Sequence, residues 1–153
     1  MNQQNGYDIE DLAVGMTAKF SKTITEADIV MFAGVSGDVN ALHLDQEYAA
    51  STPFKGRIAH GMLSAGLISA VLANRLPGPG TIYLEQQLKF LAPVRPGDTV
   101  HAEVCILDLQ AEKGRVTLQT TCRVGEQVVI DGQAQVKVGS AAKRASKVAR
   151  PAG

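Results

Sequence analysis

Fifteen basic and fifteen acidic side chains leave this chain without net charge, and so without an overall field that would draw it to nucleic acid or an anionic membrane. A small molecule or a second copy of the chain is the expected partner. No long apolar run is present either: Gly61 to Ala73 is interrupted by Ser64, Gly66 and Ser69 and is too short to span a bilayer. The opening MNQQNGYDIEDL lacks a basic start followed by an apolar stretch, which argues against a secretory signal. A soluble cytoplasmic protein is the expectation. Cysteine is scarce, and Cys105 and Cys122 match no zinc or redox spacing. Alternation puts Cys122 on the apolar face with Val116 and Leu118 and Cys105 on the face opposite Val104 and Ile106, so two packing thiols rather than a disulfide are expected.

What remains is enough for one ordinary core, since 45% of the 153 residues are hydrophobic. The expected organisation is a flexible N-terminus over residues 1–8, one domain over 9–139 and a basic disordered tail over 140–153. The tail carries Lys143, Arg144, Lys147 and Arg150 and no acid.

Within the domain, TAKFSKTI alternates as a short strand. TEADIVMFAGVSG follows as a helix capped by Thr25 and running toward Gly34 or Gly37, and DQEYAAS as a shorter one that TPF ends. The segment Gly61 to Leu76 is apolar or small on every side, which predicts a helix buried all round, roughly 24 Å long, closed by PGPG. From there the period becomes two. Ile82, Leu84, Leu88 and Phe90 share one face, then Val100, Ala102, Val104 and Ile106. Val116, Leu118, Thr120, Cys122 and Val124 follow, and last Val128, Ile130, Ala134, Val136 and Val138. Connections bearing Gly suit antiparallel hairpins, and Asp131-Gly132 marks an expected bulge. One apolar helix and about five strands without alternating order predict an α+β domain, a curled antiparallel sheet wrapped around the helix.

Chemistry concentrates in SGDVNALHLD, where Asp38 and His43 are the two side chains most apt to move a proton near neutral pH. Gly37 loosens the backbone before Asp38, Asn40 can bond its own backbone, and Leu42 and Leu44 anchor the histidine. These residues alone leave open that Asp38 and Asn40 are turn residues and His43 simply packs. A metal set of Asp38, His43, Asp45 and His60 fits by residue type, but its spacing matches no ligand motif, so no metal is expected. In AHGML, Gly61 begins the apolar helix, where free N–H groups and the positive end of the dipole could hold an oxygen as it gains charge. Close packing is the alternative reason for a glycine there.

Taken in this order around a buried helix, SGDVNALHLDQEYAA, AHGML and LKFLAPVRPGDTV resemble the MaoC-like hydratases, and more narrowly the (R)-specific enoyl-CoA hydratases of the hot-dog fold. The similarity spans about Ile9 to Val138, and Asp-x-Asn-x-Leu-His is its specific part. It implies that Asp38 and His43 are the catalytic pair, that Asn40 orders their loop, and that the Gly61 N–H meets the thioester oxygen. The implied reaction is reversible syn hydration of a trans-2-enoyl-CoA to the (3R)-3-hydroxyacyl-CoA, with no metal or organic cofactor. Ser69 and Leu72, three apart on the helix, are implied acyl-chain contacts, and a homodimer is the implied assembly, covering an open sheet edge. A polyhydroxyalkanoate precursor supply is the implied setting. The rivals are an acyl-CoA thioesterase on the same fold and a non-catalytic acyl-thioester-binding subunit. The family usually has Pro where this chain has Ala41, a change that loosens the unfolded loop by about 0.4–1 kcal/mol but removes no reactive group.

Overall fold

The computed structural model describes residues 5–149. In chain order, strand β1 (Thr17–Thr23) leads to helices α1 (Glu26–Ser36), α2 (Ala41–Leu44), α3 (Gln46–Ser51) and α4 (Gly61–Asn74). Strands β2 (Ile82–Phe90), β3 (Thr99–Gln110), β4 (Arg115–Val124) and β5 (Gln127–Lys137) follow, and helix α5 (Ala141–Val148) comes last. All strand pairs are antiparallel, and the sheet runs β1-β3-β4-β5-β2. This is the α+β hot-dog arrangement, with α4 as the filling.

The core lies where the two periodicities meet. Ala102 pairs with Phe20 on one side and Cys122 on the other. Alternate residues Val100, Val104, Ile106, Val116 and Leu118 are wholly buried with Ile68, Val71 and Leu72 of α4. Both cysteines are free, and burial pushes the Cys122 thiol up to about 12. Helix α1 begins with a capping box: Thr25 Oγ1 accepts from Asp28 N–H at 3.1 Å and the Asp28 carboxylate from Thr25 N–H at 2.9 Å. It ends at Gly37, whose φ of 78° is the left-handed conformation that glycine adopts at least cost.

Several expectations need correction. Helix α4 is not buried all round: Met62, Gly66 and Ala73 are exposed, because the sheet covers only one side of it. Strand β2 does not present one buried face, since Ile82, Leu84 and Phe90 are exposed and the register shifts between Tyr83 and Glu85. It is an edge strand, and among the described residues no strand pairs with its outer side. The irregularity in β5 falls at Val129, which is extra between the pairs Cys122–Ile130 and Arg123–Val128, and not at Asp131-Gly132. Gly132 serves another need, because a Cβ there would stand 2.0 Å from the Gln87 carbonyl oxygen.

Of the two expected loose ends, residues 1–4 and 150–153 lie outside the described residues. Gly6 and Tyr7 are not loose, since their N–H groups donate to Pro79 and Pro77 carbonyls at 2.8 Å. Residues Ala141–Val148 are helical rather than disordered. Ser140 caps this helix, its hydroxyl also donates to Glu10, and Arg144 forms an ion pair with Asp8. Composition could not reveal those partners, which lie some 130 residues earlier.

Candidate active site

The loop after α1 is held by short-range bonds that its own residues supply. Ser36 Oγ accepts from Asp38 N–H at 3.1 Å, the Asp38 carboxylate from Asn40 N–H at 3.3 Å, and Asn40 Oδ1 from Leu42 N–H at 3.0 Å. This ladder of side chains on backbone turns the chain into α2 and sets His43 in its first turn. Asn40 takes part in two of these contacts, through its N–H and its Oδ1. Ala41 is the first residue of α2, the position where proline is best tolerated, so its replacement by alanine leaves the hydrogen bonds of the loop unchanged.

His43 is buried, and its Nδ1–H donates to the Ile58 carbonyl at 2.8 Å. A carbonyl can only accept, which fixes that nitrogen as protonated and turns Nε2 toward Asp38. Nε2 and Asp38 Oδ2 stand 3.9 Å apart, and the Asp38 side chain is half exposed. That gap exceeds a hydrogen bond but admits one water about 2.8 Å from each. Five residues of spacing in the sequence thus become convergent side chains.

Both groups line a cavity of about 400 Å³ whose walls include Phe54, His60, Gly61, Ser64, Phe90 and Ile130. Gly61 is the first residue of α4, so its N–H has no acceptor within the helix. A Cβ at Gly61 would meet the Phe90 ring at 2.6 Å. The glycine therefore makes room for a wall of the cavity, and close packing and an accessible N–H coincide there.

Ser69 and Leu72 are not brought to this cavity. Leu72 is 1% exposed and faces the sheet within the core, and Ser69 lies roughly 12 Å along the helix from Gly61. Sharing a helix face does not say which neighbour that face meets. Two residues absent from the expected site do line it. His60 is buried, and its Nε2–H donates to the Asp38 carbonyl at 2.9 Å. Ser64 is buried one turn after Gly61, with a hydroxyl that has no partner among the described residues. That one-turn spacing from Gly61 was the sequence signal for it.

Asp38, His43 and His60 offer ligand-type atoms within 4.8 Å of one another; His43 Nδ1 and His60 Nε2 are engaged with carbonyls, which leaves His43 Nε2 and His60 Nδ1 as the other ring nitrogens. Asp45, the fourth residue of the metal set read from sequence, instead caps α3 by accepting from Tyr48 N–H at 2.9 Å. Arg95, a basic residue near the cavity, donates to the carbonyls of Gly56 and Phe54 and ties down the turn between α3 and α4.

The family model described as MaoC like domain matches residues 11–129. An (R)-specific enoyl-CoA hydratase of Rhodospirillum rubrum is 58% identical over 129 residues, 84% of this chain and 90% of that protein. A 3-hydroxybutyryl-CoA dehydratase of Methylorubrum extorquens is 54% identical over 129 residues, 84% of this chain and 82% of that protein. Among solved structures, the (R)-hydratase from A. caviae involved in PHA biosynthesis superposes with a TM-score of 0.82 at 44% identity, covering 84% of this chain and 98% of that one.

Proposed function

The chain belongs to the MaoC-like domain family, and from that premise we propose that it is an (R)-specific enoyl-CoA hydratase acting on short trans-2-enoyl-CoA thioesters. The observation that carries the mechanism is the 3.9 Å separation of His43 Nε2 and Asp38 Oδ2 at the wall of an apolar cavity. A water held between them gives a proton to His43 Nε2, the nitrogen left unprotonated by the Ile58 contact, as its oxygen attacks C3; Asp38 holds the water's other hydrogen, and His43 passes the proton on to C2. Hydroxide and proton are thus added to one face, because both groups stand on the same side of the double bond. Charge developing on the thioester oxygen is met by the Gly61 N–H and the start of α4. These groups supply every step, so the reaction needs no metal or organic cofactor, and CoA enters as part of the substrate.

Short acyl chains are favoured by the cavity's size and by Phe54, Phe90 and Ile130, which enclose it. The name of the Methylorubrum relative, a four-carbon enzyme, supports the same length. A homodimer is supported by edge strand β2, where Ile82, Leu84 and Phe90 are exposed, as is Leu91 just after it. A cytoplasmic location fits a chain in which, among the described residues, no helix is long and apolar enough to cross a membrane. Supply of (3R)-hydroxyacyl precursors for polyhydroxyalkanoate synthesis is the setting that the A. caviae structure's description supports.

Incubation with crotonyl-CoA tests the reading. Loss of the conjugated enoyl absorbance with formation of (3R)-3-hydroxybutyryl-CoA and no free thiol is expected. Thiol release would identify a thioesterase instead, and no change with any enoyl-CoA would leave a binding subunit. Light scattering on a size-exclusion column, with a mass near twice that of one chain expected, tests the dimer.

A further inference from the structure

We infer that His60 is a positioning residue, which sets the distance between Asp38 and His43 by gripping the backbone of one and the ring of the other. The inference rests on the reading of Asp38 and His43 as the pair that activates water. Three contacts support it. His60 Nε2–H donates to the Asp38 carbonyl at 2.9 Å, across 22 residues of sequence. Its ring stacks on that of His43, with centroids 3.8 Å apart and planes 29° apart. The Phe32 ring lies tilted against it at 4.8 Å, so the imidazole is packed between α1 and α2.

The neighbouring residues make this a two-point clamp. Ile58, two residues earlier, accepts from His43 Nδ1–H with its carbonyl at 2.8 Å, while its N–H donates to the Leu42 carbonyl at 3.4 Å. Ala59 N–H between them donates to the Val94 carbonyl at 2.7 Å and anchors the segment ahead of β3. One stretch of three residues therefore orients His43 through a carbonyl and Asp38 through a side chain. Among the described residues nothing else bonds the Asp38 carbonyl, and the Asp38 side chain faces solvent on one side. A shift of that loop by about 1 Å would spoil the geometry for a shared water, an error that can cost about a hundredfold in rate.

The contact also dictates a tautomer. Because a carbonyl accepts only, the neutral His60 ring carries its proton on Nε2 and its lone pair on Nδ1. That Nδ1 is buried and meets no donor among the described residues. His43 has the opposite tautomer, with Nδ1 protonated. Two stacked histidines with opposite tautomers are a signature that ordinary core packing does not require.

Long-range nitrogen–proton correlation spectra of the labelled, unmodified protein at pH 8 read the tautomers directly, with the His60→Gln spectrum assigning the peaks. An Nε2–H ring for His60 and an Nδ1–H ring for His43 are expected, and an Nδ1–H ring for His60 overturns the inference. Kinetics with crotonyl-CoA separate the two contacts. His60→Gln keeps an N–H near the place of Nε2 and should hold kcat within about threefold of the parent. His60→Phe keeps a ring without the donor and should lower kcat by about ten- to a hundredfold with KM within about twofold. A Phe variant with the parent's kcat, a loss carried by KM, or a Gln variant as poor as the Phe variant overturns it. An inactive parent protein would instead sink the hydratase reading, while the tautomer spectrum would still decide the role of His60.

Discussion

At its first turn α4 presents a free glycine N–H, a buried histidine and a buried serine hydroxyl to a cavity. At its last turn the same helix is closed by backbone. Leu76 N–H returns to the Val71 carbonyl at 3.0 Å and Gly78 N–H to Leu72 at 2.9 Å, and the Gly6–Tyr7 segment bonds across Pro77 and Pro79. The polar groups at one end await a ligand, whereas those at the other satisfy one another. Substitutions at the open end should therefore change rate more than stability, and substitutions toward the closed end the reverse.

The largest effect expected is at the open end. Asp38→Asn and His43→Gln each remove one partner of the shared water and should lower kcat on crotonyl-CoA by about a hundredfold or more, with melting temperature close to the parent's. Retained activity in either variant would remove that residue from the mechanism. Toward the closed end Leu72, fully buried against the sheet, is the counterpart. Leu72→Ala should cost about 2–5 kcal/mol in denaturant titration and leave kcat within about twofold. A change in acyl-chain preference without loss of stability would restore Leu72 as an acyl contact and break the comparison.

A matched pair of glycines sharpens it. A Cβ at Gly6 would lie 2.3 Å from the Pro77 carbonyl oxygen, a backbone atom that cannot move alone, and one at Gly61 would lie 2.6 Å from the Phe90 ring. Phe90 is half exposed and free to yield. Gly6→Ala should therefore destabilise by about 1–3 kcal/mol with full activity. Gly61→Ala should fold well but crowd the N–H that faces the cavity, lowering kcat/KM by about tenfold, the equivalent of ~1.4 kcal/mol in the transition state. Equal stability loss in both would show that glycine at the open end serves packing alone.

How far this organisation could be read from residues depends on the range of the contact concerned. The strands β3 and β4 were legible because their alternation is local and one face of each is buried in the core. Strand β2 was not, because an edge exposes residues that the pattern alone assigns to a core. Asp38, Asn40 and His43 were legible as a unit because turn-forming side chains and a five-residue spacing act within one loop. His60 was visible only by residue type, in the metal set and as the residue before Gly61, and not as a contact of Asp38, since the carbonyl it grips lies 22 residues earlier. Ser69 and Leu72 do not line the cavity for a geometric reason. The helix period says that they share a side, but the sheet decides which side is core. The helical tail was hidden in the same way, because Asp8 and Glu10 hold it from the far end of the chain.

The smallest expected effect lies away from both ends of α4, at the start of the helix that delivers Asp38. The Lys22 ammonium, 2.8 Å from Asp28 Oδ2, and the Thr25 N–H hold the Asp28 carboxyl below its ordinary value of 3.8. A carboxyl whose value is depressed by folding contributes stability above its unfolded value and loses it as pH falls through the folded one. Asp28 should therefore stabilise α1 fully above about pH 4 and progressively less below that. Asp28→Asn should flatten the acid limb of stability in denaturant titrations from pH 5 downward while leaving the pH 7 activity near that of the parent. If activity fell with the capping box intact elsewhere, the position of Asp38 would depend on the far end of α1. The Ser36–Asp38–Asn40 ladder and the His60 contact would then be too weak to hold the site on their own. Unchanged activity would place control of the site within the loop and the three residues that clamp it.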